Sequence, residues 1–276
     1  MDFICLSFGC SKQYSQVRQS SRASRLETSA KIIVSLSNGS LALLESPPPQ
    51  GDESPLLAVS KTWHAHDFEP WVTSFDCWDP NVVWSGGDDL KLKGWQLSPL
   101  TTTTTSDDDN QEEEEEVNGE PELKFTNKRF EGGVTTITSH PFVRHLVAVG
   151  SYDGHLRLFD TRHPLRPIEP ATFDVGGGIW RTKWHPTNPN RILIAAMHNG
   201  FSVIDYDGIR PSNDDDDDEV VVLEPGPGRL VKRFEAHESL AYGVDWNQVA
   251  EPDDDNDKDL VASCSFYDHV LHVWSL

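Results

Sequence analysis

This chain of 276 residues lacks several features that mark common classes of protein. No apolar run approaches the roughly 20 residues that a membrane-spanning helix needs. Residues 1–10 lack the basic start and the long apolar stretch of a signal peptide. The four cysteines are too few and too scattered for a disulfide framework, and no CxxC pair suggests zinc or redox chemistry (Cys5, Cys10, Cys77 and Cys264). We therefore expect no membrane association and a reducing, cytoplasmic location.

Basic residues are also scarce, because 23 Lys and Arg stand against 45 Asp and Glu, for a formal net charge of −22. The chain has no clustered basic stripe, so nucleic acid is not an expected partner. Most of the acidic excess lies in three tracts, residues 107–116, 214–219 and 253–259. The remainder of the chain is nearly neutral, as expected of a globular body.

The acidic tracts lie inside three longer polar stretches, residues 98–121, 207–228 and 247–259. Such stretches cannot bury enough apolar area to offset the entropy lost on ordering. We predict that they are disordered insertions in a single domain that spans residues 1–276. An acidic run can also attract a basic partner, but a solvated insertion is the simpler interpretation.

Helical periodicity is absent, and a strand–turn–strand pattern recurs instead. Each copy has a short β-branched run, a turn that holds Asn or Asp, and an alternating apolar run. Five segments show this pattern: residues 32–45, 82–97, 146–160, 192–205 and 260–275. In four of them the turn residue precedes a large apolar residue by six positions, as Asp89 precedes Trp95. The pattern predicts five β-hairpins.

A further apolar strand precedes four of these hairpins, at residues 71–78, 133–139, 178–184 and 242–246. Each of these strands follows a short loop that contains Ala-His or a run of glycines. Such a repeat, every few tens of residues, is typical of propeller blades, and the Ala-His opening is typical of WD repeats. The predicted fold class is therefore all-β, a WD40-type β-propeller with about five blades.

Closure of the ring poses a problem, since blades usually have four strands. The chain opens at an inner-type strand, residues 3–8, and ends on the third strand of its last blade, residues 269–274. No outer strand is left over to close the ring. We therefore expect a chain that is shortened at its N-terminus.

The standard catalytic motifs are missing, because the chain has no G-x-S-x-G elbow, no P-loop and no H-E-x-x-H pair. In a propeller, the loops entering the inner strands and the turns within the hairpins open on one end of the ring. The candidate functional residues of that end are His64, His66, Glu69, Asp88, Asp89, Tyr152, Asp153, Trp180, Arg181, His198, His237, Glu238, Tyr242, Tyr267, Asp268 and His269.

Some of these candidates fit a structural role. In WD blades, a loop histidine, a turn aspartate, a serine and a tryptophan often form one hydrogen-bonded set. Two such sets are His66 with Ser85, Asp89 and Trp95, and His237 with Ser263, Asp268 and Trp274. Asp153 is a third turn aspartate that we interpret as structural. Four candidates have no blade role of this kind and are better functional candidates: His64, Arg181, His198 and His269.

At this point the sequence resembles a known family. The strings are WHAHDFEPWVTSF, SGGDD, GSYDGHLRLFDTR, GGGIWRTKWHP, AAMHNGF, HESLAYGVDW and CSFYDHVLHVW. They resemble the diphthine methyl ester hydrolase family, WD-repeat proteins of diphthamide biosynthesis that are also called diphthine methyltransferases. The resemblance runs over residues 32–274 outside the acidic stretches. Members usually carry roughly two more blades before this point, so the resemblance implies a ring of about seven blades.

The resemblance implies a reaction and a partner. The family is understood to remove the methyl ester from the over-methylated diphthine on elongation factor 2, giving diphthine and methanol. The implied activity is thus carboxylic ester hydrolysis on a protein substrate, without a cofactor and in the cytoplasm. The alternative is a non-catalytic WD-repeat scaffold that binds elongation factor 2 or another protein complex.

Ester cleavage needs a nucleophile, a base and donors for the developing oxyanion. We hypothesise that His269, held by Asp268, is the base, since imidazole titrates near neutral pH; His64 or His198 are alternatives. The nucleophile is water, Ser265 or Cys264, although we expect Cys264 to be a small buried residue. Arg181 or the amides of residues 176–178 stabilise the oxyanion, and no ligand spacing supports a metal.

Overall fold

The computed structural model describes ten parts of the chain: residues 4–10, 31–46, 57–97, 101–104, 114–117, 119–163, 167–211, 221–247, 259–265 and 267–276. These parts contain five successive antiparallel sheets. The inner strand of each sheet lies beside the inner strand of the next sheet in chain order. The predicted all-β, WD-type propeller with five recognisable blades is therefore confirmed.

The first four blades have four strands each, ordered from the inner to the outer edge. Blade 1 consists of β1 (Ile4–Cys10), β2 (Lys31–Leu36), β3 (Ser40–Glu45) and β4 (Ala58–His64). Blade 2 consists of β5 (Pro70–Phe75), β6 (Val82–Gly87), β7 (Leu92–Gln96) and β10 (Glu122–Asn127). A separate hairpin, β8 (Thr101–Thr104) with β9 (Glu114–Val117), lies between β7 and β10 in the chain.

The remaining blades repeat this order. Blade 3 consists of β11 (Val134–Ser139), β12 (Leu146–Ser151), β13 (His155–Asp160) and β14 (Ile168–Asp174). Blade 4 consists of β15 (Arg181–Trp184), β16 (Arg191–Ala195), β17 (Phe201–Tyr206) and β20 (Gly228–Phe234). A separate hairpin, β18 (Ile209–Pro211) with β19 (Val221–Leu223), lies between β17 and β20 in the chain. Blade 5 consists of β21 (Gly243–Trp246), β22 (Leu260–Cys264) and β23 (Leu271–Ser275).

The five predicted hairpins share a feature in the residue that follows the turn Asn or Asp. In every blade this residue has a left-handed backbone: Gly39, Leu90, Gly154, Gly200 and His269, with φ of 87°, 60°, 81°, 68° and 57°. Three of the five are glycine, which adopts this conformation without steric cost. The Asn-Gly and Asp-Gly pairs in the sequence therefore set the turn geometry on which the blades depend.

Apolar side chains between neighbouring blades form the core. Ile33, Leu41 and Trp63 of blade 1 pack on Phe75 and Trp95 of blade 2, and similar clusters join each later pair of blades. A blade between two neighbours is covered on both faces, and so every residue of β12 is buried. This explains why the central strands have continuous apolar runs.

The last blade differs from the others. Its described residues form three strands, and β23 is the outer one of these, as the sequence predicted. One face packs on blade 4 through Val261 and Trp274. The other face bears Leu271 and Val273, each 67% exposed, and no described residue covers it.

The predicted disordered insertions remain a prediction. The two short hairpins β8–β9 and β18–β19 lie within the stretches 98–121 and 207–228, and most of 247–259 lies outside the described residues. Within the described ranges, we find no helix with the length and apolar character needed to cross a membrane.

Candidate active site

The hairpin turns and the loops that enter the inner strands meet at one end of the ring, as the sequence predicted. The Gly39 carbonyl accepts hydrogen bonds from the amides of Ala65 and His66 at 2.9 and 2.8 Å. The Asp88 amide likewise donates to the Glu69 carbonyl at 3.0 Å. We call this end of the ring, with its five hairpin turns, the turn end.

His66 forms the predicted structural set of blade 2. Its Nδ1 lies 2.9 Å from Asp89 Oδ1, and its Nε2 lies 2.8 Å from Ser85 Oγ. The Trp95 indole donates to the same hydroxyl at 2.9 Å. Burial alone would raise the pKa of the Asp89 carboxyl, but the hydrogen bond and charge of His66, the Asp67 amide and the charge of Lys91 together lower it.

His237 forms the equivalent set of blade 5. Its Nδ1 lies 3.0 Å from Asp268 Oδ2, and its Nε2 lies 3.0 Å from Ser263 Oγ. The Trp274 indole Nε1 donates to the Ser263 hydroxyl at 3.1 Å. The order Ser–His–Asp is that of a hydrolase triad. Ser263, however, is buried, and the same arrangement occurs in blade 2, where Ser85 is also buried. A nucleophile must reach its substrate, so both sets are structural.

Asp268 belongs to the hydrogen-bonded set that the sequence predicted for it. Its Oδ2 binds His237, and its Oδ1 accepts a hydrogen bond from the Val270 amide at 3.0 Å. Burial acts to raise the pKa of Asp268, but the Val270 amide and His237 lower it. The hypothesis that Asp268 also orients His269 in catalysis remains a prediction.

Asp153 is held differently from the other turn aspartates. It forms an ion pair with Arg157 at 2.9 Å and accepts hydrogen bonds from the amides of Glu131 and His155. Burial favours a higher pKa for Asp153, whereas Arg157 and these amides bring it below its usual range. These contacts agree with the structural interpretation of Asp153, which stays a prediction.

Three further candidates of the C-S-F-Y-D-H segment, Ser265, Cys264 and His269, have different environments. Ser265 is 5% exposed, and among the described atoms its Oγ has no hydrogen-bond partner. Cys264 is exposed, so the prediction that it is buried was wrong. It lies on the outward face of β22, which no described blade covers. His269 is exposed in the turn between β22 and β23.

The remaining candidates lie at the turn end but at different distances from the centre of the ring. Arg181 begins the innermost strand of blade 4, β15. His198 is exposed in the turn between β16 and β17, and His64 ends the outermost strand of blade 1, β4. Arg181 thus lies at the inner edge of its blade, and His64 lies at the outer edge.

The glycine run of residues 176–178 enters the same end of blade 4. The Gly176 amide already donates to Asp174 Oδ1 at 2.8 Å, so this amide is engaged. A Cβ on Gly178 would lie 3.0 Å from the Tyr152 ring, and one on Gly177 would lie 2.5 Å from the Ala196 carbonyl. The run therefore allows close packing of the loop against Tyr152 and blade 4.

Five aromatic rings from four blades lie along the turn end in successive contact. The ring centroids of Trp71, Tyr152 and Trp180 are 5.7 to 6.2 Å apart in all three pairs. Tyr242 is 5.3 Å from Trp180, and Tyr267 is 6.2 Å from Tyr242. The guanidinium carbon of Arg181 lies 5.9 Å from the Trp180 ring centroid. We call these five rings the aromatic arc.

The strand register explains the arc. Trp71, Trp180 and Tyr242 occupy the same position of the inner strand in blades 2, 4 and 5, four residues before Phe75, Trp184 and Trp246. In blade 3 this position is Thr135, and Tyr152 from the neighbouring turn takes its place. Sequence reasoning missed Trp71 because it was interpreted as one more apolar residue of a strand.

Two tyrosines of the arc have altered acidity. Burial, and then the charge of Asp88, raises the pKa of Tyr152. Burial and the hydrogen bond with Tyr267 raise the pKa of Tyr242. Both side chains are therefore neutral phenols at physiological pH.

The opposite end of the ring has a cavity of about 290 Å³ between blades 2 and 3. Its walls include Trp78, Trp84, Phe125, Arg144 and His145. None of the predicted candidates lies there. In the described ranges, no group of three or more His, Cys, Asp or Glu residues is arranged to hold a metal ion.

Comparison with known proteins gives matches in both sequence and structure. The WD domain, G-beta repeat model matches residues 120–160. A chain in the crystal structure of a mitotic checkpoint complex superposes with a TM-score of 0.56 at 13% identity, over 89% of this chain and 71% of that chain. At this identity the likeness shows the fold alone.

Curated relatives carry one name. The diphthine methyltransferase homolog of Dictyostelium discoideum is 37% identical over 88% of this chain and 59% of its own length. Diphthine methyltransferase of Homo sapiens is 35% identical over 79% of this chain and 40% of its own length. Diphthine methyltransferase of Schizosaccharomyces pombe is 26% identical over 90% of this chain and 61% of its own length. The chain thus spans less than two thirds of each relative. The chain has a WD repeat, and its curated homologues at 35–37% identity over most of its length are named diphthine methyltransferase.

Proposed function

We propose that this chain hydrolyses the methyl ester of over-methylated diphthine on elongation factor 2, giving diphthine and methanol. The observation that carries the proposal is that an arginine, exposed histidines and the aromatic arc all lie at the turn end of the ring. The relatives named diphthine methyltransferase support a role in diphthamide biosynthesis. On this proposal the chain acts in the cytoplasm, where its partner works.

The reaction adds water to the ester carbonyl and releases methanol, which leaves a carboxylic acid. Arg181 is the group best placed to stabilise the oxyanion, because it lies at the inner edge of a blade beside the exposed arc. A guanidinium keeps its charge throughout the working pH range and presents several donors.

Water is the nucleophile that the geometry favours. Ser265 is buried, and the hydroxyls of Ser85 and Ser263 are enclosed in the two structural sets. An exposed imidazole, His269 or His198, then takes the proton of the attacking water and returns it to the methoxide that leaves. His64 is less favoured because it lies on the outermost strand of blade 1.

The experiment incubates the purified chain with elongation factor 2 that carries the methyl-esterified residue, in water enriched in ¹⁸O. The modified peptide is then analysed by mass spectrometry. Attack of water on the carbonyl predicts loss of the methyl group, one ¹⁸O in the new carboxyl group and unlabelled methanol. An unchanged peptide mass with a folded chain, as judged by circular dichroism, contradicts the proposal.

The second candidate function is the non-catalytic scaffold. A WD ring with an exposed aromatic end is also suited to holding a protein. Binding of elongation factor 2 without any loss of methyl would favour the scaffold. Turnover of substoichiometric enzyme, with methanol accumulating beyond one equivalent, would exclude a role limited to binding.

A further inference from the structure

We propose that the cavity between blades 2 and 3, at the end opposite the turn end, docks a segment of another protein. The segment has a carboxylate next to a large apolar side chain. Its protein is a partner other than the esterified substrate, so this site goes beyond the proposed function. Three features of the cavity carry the inference: its apolar walls, the rigid loop at its edge and a cation that no described carboxylate pairs with.

The size of the cavity suits part of a longer ligand. Its volume of about 290 Å³ lies at the lower limit of pockets that enclose a whole small molecule, which is about 300 Å³. Trp78, Trp84 and Phe125 provide apolar walls. A cavity of this size and lining is suited to one or two side chains of a peptide.

A β-bulge brings two neighbouring side chains of β10 to the cavity. In a regular strand, successive side chains point to opposite faces of the sheet. The register of β10 against β7 shifts between Leu123 and Phe125, and both Lys124 and Phe125 line the cavity. The bulge thus places a cationic and an aromatic group on the same wall.

Two exposed aromatic side chains extend the apolar surface beyond the cavity. Trp78 is 42% exposed and Phe142 is 48% exposed. The Trp78 indole donates to the His140 carbonyl at 2.9 Å, and the Phe142 ring centroid lies 6.0 Å from that of His140. The one polar atom of the Trp78 side chain is engaged inside the protein, so the ring presents apolar surface to solvent. Such a surface around a cavity is typical of contact with another protein.

The loop that carries Arg144 is held at both ends. His140 Nδ1 accepts a hydrogen bond from the Val143 amide at 2.8 Å. The His145 carbonyl accepts from the Thr161 amide and hydroxyl at 2.8 and 3.1 Å. His145 also has a left-handed backbone, with φ of 68°, which is costly for a residue other than glycine. A fixed loop loses little entropy when a ligand binds, and strain of this kind is often kept at functional sites.

The carboxylates beside the cavity have internal partners. Asp76 is buried and accepts a hydrogen bond from the Trp78 amide at 2.9 Å. Asp160 binds the Arg162 guanidinium through both of its oxygens. Arg144, in contrast, is exposed, and the ion pairs found within the described ranges do not include it.

The unpaired cation selects the charge of the ligand. Three cations and two carboxylates line the cavity, and Lys124 is paired with Glu122 at 2.6 Å. A carboxylate can accept two parallel hydrogen bonds from the guanidinium of Arg144. A basic segment would bring two cations together, and a purely apolar segment would desolvate Arg144 without giving it a partner. An acidic residue next to an apolar one satisfies both the cation and the walls.

The test measures binding of acetyl-Glu-Phe-amide to the full ¹⁵N-labelled chain by NMR titration of the tryptophan indole signals. The same titration is made with acetyl-Gln-Phe-amide, which lacks the charge, and with acetyl-Glu-Ala-amide, which lacks the ring. We expect the Glu-Phe peptide to bind at least about 5-fold more tightly than each of the other two. The Trp78 indole, identified by its absence in Trp78→Leu, should shift.

Arg144→Ala should weaken binding of the Glu-Phe peptide about 5- to 10-fold and abolish its advantage over the Gln-Phe peptide. The matched control is Arg129→Ala, since Arg129 is an exposed arginine between β10 and β11 that does not line the cavity. This control should bind the Glu-Phe peptide as the unaltered chain does.

Equal affinity for the three peptides, or equal loss of binding in Arg144→Ala and Arg129→Ala, would overturn the inference. The three peptides are compared on the unaltered chain, so the result stands even if a variant fails to fold. If Arg144→Ala instead shifts the sedimentation of the chain toward the monomer, a second copy occupies the cavity and the inference is wrong. The peptides have no methyl ester, so their binding is read independently of hydrolysis.

Discussion

At the scale of the residue, His269 has an unusual backbone conformation for a residue that is not glycine. It occupies the left-handed turn position that is glycine in three of the five blades, and it shares this strain with Leu90 of blade 2. A side chain with a Cβ costs roughly 1 kcal/mol in this conformation. A histidine kept at such a position is a reason to suspect function, which substitution by glycine tests cleanly.

We expect His269→Gly to raise the free energy of unfolding by about 1 kcal/mol and to lower ester turnover at least about 10-fold. The gain arises because glycine adopts the turn conformation freely. Leu90→Gly is the matched control, with the same gain in stability and unchanged turnover. Urea denaturation and methanol release measure the two effects. Unchanged turnover in His269→Gly would remove His269 from the mechanism.

His140 is buried and acts as a cap of the loop that follows β11. Its Nδ1 accepts hydrogen bonds from the amides of Phe142 and Val143 at 3.0 and 2.8 Å, and its Nε2 donates to the Pro189 carbonyl at 2.7 Å. This arrangement requires a neutral ring, because a protonated Nδ1 could not accept. Burial lowers the pKa of His140 to about 4, against the weaker opposing effect of the Pro189 carbonyl.

The shift predicts a loss of stability in acid. The unfolded chain takes up a proton at this histidine as the pH falls below about 6.5, whereas the folded chain does so only near the lowered pKa of about 4. The contribution of the neutral His140 to the free energy of unfolding is fully present above pH 6.5, and it decreases by roughly 3 kcal/mol between pH 6.5 and 4. In His140→Gln this part of the pH dependence should disappear. An identical pH profile of unfolding for the variant and the unaltered chain would contradict the prediction.

At the scale of the element, the His–Ser–Asp–Trp sets hold two hairpins to the loops before them. Ser85 Oγ is the common partner of His66 Nε2 and Trp95 Nε1 inside blade 2. Removing it would leave two buried polar atoms without a partner. The set is therefore a unit whose loss affects the whole blade.

Ser85→Ala should lower the free energy of unfolding by about 2 kcal/mol, since the groups left behind are fully desolvated. Ser74→Ala serves as the comparison, because Ser74 is only partly buried and its hydroxyl donates to the carbonyl of the next residue. That substitution should cost less than about 0.5 kcal/mol. Urea denaturation with an unchanged m-value measures both. Equal costs in the two variants would show that the set contributes little.

The sequence allowed prediction of the elements that depend on local repeats. The five hairpins and both structural sets follow from spacings within one blade, such as Asp89 before Trp95. The aromatic arc could not be predicted, because its rings come from four blades and meet only when the ring forms. The exposure of Cys264 likewise depends on what covers the last sheet, which is a property of the assembled molecule.

At the scale of the whole molecule, the described ring has two chemically different ends and one open side. The turn end has the arc and Arg181, and the opposite end has the cavity with Arg144. On the open side, the outward face of blade 5 bears Leu271 and Val273 beside the edge strand β23. Apolar faces and unpaired strand edges together promote association between chains.

The purified chain should therefore self-associate as its concentration rises. The double substitution Leu271→Thr and Val273→Thr should shift the equilibrium toward the monomer, as measured by sedimentation velocity. Ile168→Thr is the control, since Ile168 is an exposed apolar residue on the outer strand of blade 3. A control variant that dissociates as much as the double variant would show that the face of blade 5 has no special role.

The central claim is that ester hydrolysis occurs at the turn end of the ring. The most direct measurement compares kcat/KM for methanol release from esterified elongation factor 2 between Arg181→Ala and Arg144→Ala. Both remove an arginine, but Arg144 lies at the opposite end. We predict a decrease of roughly 100-fold for Arg181→Ala and less than about 2-fold for Arg144→Ala. Equal rates in the two variants, with both chains folded, would contradict the claim.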